Sequence, residues 1–338
     1  MEYGAIDLQS RTSLIRIVDE DGKVVLERTI QTTREGFTRV FGERAPLRVL
    51  VESGTDSGWV ATVIESLGHA VMVADPNYAL MYGARSRALK TDRRDVAALA
   101  EACRRGIYRR AHRVSPRQRQ VRRVLRIREQ LVRIRTQLIN LLRAQLRQEG
   151  YRLPTGGSEA AAARCRRLAL PDGLTTDLAP LLAVLDALAP IIAGQDREAS
   201  RRAMADPIVR RLMTAPGVGP IVGLTFRAVI DEVHRFADAK QCTAYLGLVP
   251  SEASSGTRQR KGAITKAGPA SVRVALIQAA WVIWRQRQGR AALHAWVERL
   301  AARRGRRIAV VALARRLARI LYGMWRDATD YRAVPLAA

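Results

Sequence analysis

Four acidic side chains stand where acids are costly unless they serve a purpose. Asp7 interrupts the apolar run Tyr3–Leu8, Glu52 closes the apolar run Leu47–Glu52, and Asp92 and Asp95 lie three residues apart, which puts both on one face of a helix. Like charges tolerate burial together only when cations neutralise them, and oxygen-only ligands suit Mg²⁺ or Mn²⁺. Two such ions about 3.5–4 Å apart activate a nucleophile and stabilise a leaving oxygen in phosphodiester chemistry. Spacing alone leaves a second account open, in which Asp7 closes a strand and the pair answers Arg93, Arg94 or other surface arginines. A candidate nucleophile lies far along the chain, where Ser254-Ser255-Gly256 sits in a polar stretch beside Arg258, Arg260, Lys261 and Lys266. A hydroxyl attacks phosphorus once its proton is removed and the charge on the phosphoryl oxygens is stabilised, and neighbouring cations do the second. Most Ser-Ser-Gly loops, however, are simply turns.

The elements that must carry these residues are legible. Residues 3–8, 12–18 and 23–30 read as strands, with Asp21-Gly22 as the second turn, and form an antiparallel meander. A helix at 35–41, a strand at 47–52, a helix at 59–67, a strand at 70–74 and a helix at about 91–104 follow, which describes a mixed sheet with helices on its faces. From Ser115-Pro116 a long helix runs to about Glu149. On it Val124, Ile127, Leu131, Ile134, Leu138 and Leu141 recur at 3-4 spacing, a coiled-coil seam or the buried stripe of an ordinary amphipathic helix. Pro154–Ser158 reads as a linker, and prolines 171, 180, 190 and 207 are expected to interrupt the Ala/Leu-rich helices of 160–210. Helices then cover about 207–230 around the Ala-Pro-Gly-Val-Gly-Pro turn at 215–220, then 238–246, 269–288, 290–303 and 306–325, with a loop or short ribbon at 247–268. The expected fold class is α/β plus all-α, in three parts: a sheet domain at 1–112, an arginine-rich helical connector and oligomerisation region at 113–206, and a helical domain at 207–338.

Charge points to a polyanion. The 338 residues hold 58 Lys and Arg against 31 Asp and Glu, a net +27. Residues 1–100 are nearly balanced, with 13 basic and 14 acidic side chains, whereas 101–150 hold 15 basic and 3 acidic. Arg122, Arg123 and Arg126 in that stretch are candidate phosphate contacts, as are Arg258, Arg260, Lys261 and Lys266. Pro216-Gly217-Val218-Gly219 resembles a helix–hairpin–helix clamp, in which Gly217 and Gly219 let backbone N–H groups approach a phosphate; a tight interhelical turn explains the same glycines. Tyr245, Trp281 and Trp284 read as packing residues rather than base-stacking platforms. No run of 18 apolar residues and no signal peptide is seen, so a cytoplasmic, nucleoid-associated protein without a membrane partner is expected. Cys103, Cys165 and Cys242 support neither a disulfide framework nor a zinc cluster.

The order of these features carries a resemblance. A three-strand meander with Asp on strand one, Glu closing strand four and acids on a later helix resembles RNase H-like nucleases of the RuvC type. Tyr3–Leu8, VESGTDSGW at 51–59, Asp75–Lys90 followed by KTDRRDVAALA at 90–100, and LGLVPSEASSGTRQRKGAITKAG at 246–268 resemble the DEDD insertion-sequence transposases related to the Piv DNA invertase. The resemblance spans nearly the whole chain. It implies a metal-binding tetrad at Asp7, Glu52, Asp92 and Asp95, holding Mg²⁺ or Mn²⁺, and a recombinase nucleophile at the serine before the glycine, Ser255, with Ser254 and Ser251 as neighbours one motif position away. It further implies DNA transposition through a phosphoserine link by a homo-oligomer, a dimer or at synapsis a tetramer, on element ends and target DNA, with a structured guide RNA of the bridge-RNA type. A RuvC-type junction nuclease using water, and a non-catalytic nucleic-acid-binding protein, are the alternatives.

Overall fold

Alternating apolar and polar residues in the first thirty positions set up three strands that pair side by side, β1 (Tyr3–Leu8), β2 (Thr12–Val18) and β3 (Val24–Gln31). The chain then passes through α1 (Arg34–Phe41), β4 (Arg48–Glu52), α2 (Ser57–Ser66), β5 (Ala70–Ala74) and α3 (Asp92–Arg105). These elements come from a computed structural model, which describes residues 1–82, 91–252, 261–286 and 291–332. The strand order is β3-β2-β1-β4-β5. The meander is antiparallel, while β1–β4 and β4–β5 are parallel, as expected of strands joined through helices. One face packs Ile6, Ile15 and Val51 against Phe37 of α1 and Val60 and Ile64 of α2. The other packs Ala5, Leu50 and Met72 under Val96 and Leu99 of α3.

The chain divides into two compact units, Met1–Val114 and Ser115–Ala338, so most of the expected connector and all of the expected C-terminal domain fall together in the second. That unit contains α4 (Pro116–Gln148), α5 (Ala161–Arg166), α6 (Asp172–Ala205), α7 (Pro207–Leu212), α8 (Pro220–Ile230) and α9 (Ala239–Tyr245). A two-stranded ribbon of β6 (Pro250–Glu252) and β7 (Lys261–Ile264) follows, then α10 (Ala270–Arg285), α11 (Ala291–Arg304) and α12 (Arg306–Arg326). Its largest core surrounds α12, where Leu313, Leu317 and Leu321 meet Phe226, Leu276 and Ile283. The expected linker at 154–158 is pinned to α5, because the Arg164 guanidinium donates to the carbonyls of Pro154 and Gly157 at 3.1 and 2.6 Å.

Two helices differ from expectation in instructive ways. α6 runs unbroken through Pro180 and Pro190. Each proline removes one backbone bond, but both lie on the exposed side, and the carbonyls they release belong to the exposed Thr176 and Asp186. The opposite side packs on α4: Leu178, Leu182 and Leu185 with Ile139, Leu142 and Leu146, and Ala199 and Ala203 with Val121, an antiparallel pairing. By length and composition α6 is also apolar enough to cross a membrane. On α4 itself, the buried face is Val121, Ile139, Leu142 and Leu146, not the 124–141 seam; Ile127 and Leu141 of the seam are 51% and 48% exposed.

Candidate active site

Strand register brings the first two acids together. β1 and β4 run parallel with Ile6 opposite Val51, so the next residues, Asp7 and Glu52, are neighbours at the same end of the sheet. Side chains alternate across a sheet, so Asp7 shares the face of Ala5, and Glu52 that of Leu50. Both Ala5 and Leu50 belong to the core under α3, so the two acids lie on the face that α3 covers. Thr91 starts α3 by capping Arg94 N–H, leaving Asp92 and Asp95 in the first turn, where acids also favour the helix dipole.

That first turn is tied to the same sheet end. The Gln9 amide, one residue past β1, donates to Asp92 Oδ2 at 2.8 Å. Arg93, at the next position, bonds Glu27 of β3, which also accepts from Arg16 at 2.5 Å. The Arg93 hydrogen bond, supported by the Arg16 charge, holds the Glu27 carboxyl below the usual carboxylate range against the opposing effect of burial. Arg93 therefore does have an acid partner, Glu27. Beside Glu52 opens a cavity of about 190 Å³ bordered by Gln9, Ser10, Ser53, Thr55 and Asp56.

All four predicted acids thus belong to one end and one face of the sheet unit. Their side chains do not close on a common point: among the described residues no three His, Cys, Asp or Glu side chains stand close enough together to enclose an ion. Carboxylates repel one another when no cation lies between them. In donor chemistry the set fits a hard divalent cation, since every candidate ligand is a carboxylate oxygen.

The second unit separates the remaining candidates. Ser254, Ser255, Arg258 and Arg260 lie outside the described residues, and of Lys261 only the backbone, at the start of β7, is described. Ser251 stands on β6 with its hydroxyl donating to Ala263 O at 3.0 Å across the ribbon. Lys266 is exposed and takes a positive φ of 55°, its N–H donating to Gly247 O. Gly247 and Gly268 also have positive φ, and a Cβ on either would lie within 2.2 Å of a backbone oxygen, so the ribbon base is closely interlocked. Arg273 of α10, which sequence reasoning passed over, donates from Nη1 to the carbonyls of Leu246, Ala267 and Gly268. No sequence spacing signals it, because its acceptors are main-chain groups.

Of the arginines on α4, Arg123 and Arg126 are exposed. Arg122 turns inward and donates to Ala228 O and Val229 O at 2.8 and 3.1 Å, capping the end of α8, and burial lowers its pKa. Gly217 is explained by packing, since its φ is 74° and a Cβ would meet Ala279 O of α10 at 2.6 Å. Gly219 is the N-cap of α8, with open space where a Cβ would stand. Trp281 and Trp284 stack on each other at 5.5 Å and, with Tyr245, pack against the α12 core. The three cysteines are free and buried.

Comparison with known proteins shows the family. A transposase family profile matches residues 5–150, covering the sheet unit with its four acids, and the profile of the IS116/IS110/IS902 transposase family matches residues 209–295. A Pseudomonas aeruginosa protein described as "Probable family 20 transposase" is 30% identical over 334 residues, 97% of each chain. The chain belongs to the IS116/IS110/IS902 transposase family. Other members resemble it over similar spans: the transposase for insertion sequence element IS1111A of Coxiella burnetii is 29% identical over 93% of this chain and 87% of its own. The transposase for insertion sequence element IS1328 of Yersinia enterocolitica is 28% identical over 94% of both. The insertion-element transposase expected from the motifs is therefore the family shown, and the family acts on DNA.

Proposed function

We propose that this transposase exchanges DNA strands of an insertion element by metal-assisted attack of a serine hydroxyl, with the sheet unit folded as an RNase H-like domain of the RuvC type. The supporting observation is positional: Asp7 and Glu52 at adjacent strand ends, on the face covered by α3, whose first turn carries Asp92 and Asp95. Asp7, Glu52, Asp92 and Asp95 would hold Mg²⁺ or Mn²⁺. When bound, such ions supply Lewis-acid polarisation of a phosphoryl oxygen. Ser255 is the attacker in this reading: its Oγ–H bond breaks and Oγ bonds to phosphorus. A DNA hydroxyl leaves with a proton, and reversal from the phosphoserine rejoins strands without loss of bond energy. Basic residues near the serine, Arg258, Arg260, Lys261 and Lys266, stabilise the phosphoryl charge. A structured guide RNA and a homo-oligomer, associating through the half-exposed 124–141 seam, complete the proposal.

The test combines protein, element-end DNA, flanking element RNA and Mg²⁺, and looks for a protease-sensitive protein–DNA adduct. Ser255→Ala abolishes the adduct if Ser255 attacks; an adduct that persists moves the role to Ser254 or Ser251. Asp7→Asn lowers strand cleavage by at least about a hundredfold, as expected when several kcal/mol of charge stabilisation are lost, and leaves DNA binding unchanged. Cleavage without any adduct would establish water as the attacker. Purified complexes that carry no discrete RNA would remove the guide.

A further inference from the structure

Gln9 both contacts a tetrad acid and borders the cavity beside another. Its amide donates to Asp92 Oδ2 at 2.8 Å, across 83 positions of sequence. It also lines the cavity that includes Glu52, and it follows Asp7 by two residues on the same stretch of chain. Its backbone is fixed independently of the side chain: Gln9 N–H donates to Thr12 O at 3.2 Å, and Thr32 Oγ1 donates to Gln9 O at 2.9 Å. The turn between β1 and β2 thus holds Gln9 still while its side chain reaches out to the start of α3.

We propose that Gln9 is a positioning residue that fixes Asp92 of α3 relative to Asp7 and Glu52, so that a divalent cation meets three acids from three different elements in one arrangement. A neutral amide donor suits this task. It engages one carboxylate oxygen and leaves the other for an ion, and it brings no positive charge to compete with that ion, as an arginine would. Arg93, one position along the same turn of α3, is directed instead to Glu27, so Asp92 is held by the amide and the helix is held by the ion pair. This inference rests on the cation site proposed above.

The experiment measures Mn²⁺ binding to the full chain by calorimetry, with thermal unfolding in chelator as the check on folding. Gln9→Leu, similar in size but without a donor, weakens Mn²⁺ binding by roughly tenfold or more, the usual effect of losing an outer partner of a ligand, while the chelated protein melts as before. Gln9→Asn, which keeps the amide one methylene short, loses less. In an Asp92→Asn background, Gln9→Leu causes no further loss, because the two act through one contact. A Leu variant that binds within twofold of the unaltered chain overturns the role of Gln9 and leaves the cation site standing. Equal losses in the Leu and Asn variants, accompanied by a lower melting temperature, also overturn it, by reducing Gln9 to part of the turn. An unaltered chain with no saturable Mn²⁺ binding overturns the cation site itself and this inference with it.

Discussion

Glu27 shows how a single carboxylate can govern the approach to the site. It joins β2 and α3 through Arg16 and Arg93, with its side chain only 15% exposed while Arg93 is 78% exposed. Its pKa is depressed, so its contribution to stability is complete above the unfolded value of about 4.3 and disappears as pH falls through the lower folded value. Melting temperatures of the unaltered chain and of Glu27→Gln should therefore differ at neutral pH and converge as pH falls below the usual carboxylate range; a difference that grows on acidification contradicts the pairing. The cysteines make the opposite case. Burial pushes the Cys103 and Cys242 thiols up to about 12 and raises that of Cys165, so all three are neutral at mildly alkaline pH. A disulfide exchange reagent should label none of them in the folded chain and all three in concentrated guanidinium; rapid native labelling would show that one of these sites opens. None of these partnerships can be read from spacing. Glu27 meets an arginine 66 positions away and Gln9 an acid 83 positions away, both of which depend on how α3 lies on the sheet.

At the scale of elements, what was legible and what was not divides by the range of the signal. β1, β2 and β5 fall on the expected residues, and α3 and α4 start about where expected, because Thr91 and Ser115-Pro116 act on the next few residues only. The continuity of α6 was not legible, since it depends on which way Pro180 and Pro190 face. Nor was the face that α4 buries: two apolar stripes run along it, and α6 selects one. Another long-range device closes α8. Asp231 has φ 61° and ψ −59°, with Glu232 N–H donating to Ile230 O at 2.7 Å, which is a γ-turn of the strained hand. Its buried carboxylate repays the strain by accepting the Ser115 N–H and hydroxyl, both at 2.7 Å, and so joins the end of α8 to the start of α4. Asp231→Ala keeps the strain and strands the Ser115 donors, and should cost about 2–3 kcal/mol in urea unfolding. Asp231→Gly relieves the backbone and should cost less; a larger loss for Gly than for Ala would show that strain is not present.

For the whole molecule, the uneven charge needs to be read together with side-chain direction. Residues 101–150 carry 15 of the basic residues, yet part of that charge is spent internally. Arg113 pairs with Glu65, Arg128 with Asp196, and Arg122 caps α8. Counting charge therefore overstates the exposed basic surface: of the three α4 arginines put forward as phosphate contacts, Arg122 is turned inward, whereas Arg123 and Arg126 are exposed. Salt dependence separates the two roles. Each phosphate neutralised on a DNA duplex contributes a slope of about −0.9 to log K against log salt concentration. If Arg123 and Arg126 each meet a phosphate, replacing both by Gln should flatten that slope by about 1.8 and leave the unfolding midpoint in place. Arg122→Gln should do the reverse, lowering the midpoint through loss of the bonds to Ala228 and Val229 while the slope of the folded fraction stays unchanged. A flattened slope for Arg122→Gln at unaltered stability would mean that the guanidinium leaves α8 to meet the nucleic acid, and the α4 surface would then have to be redrawn around it.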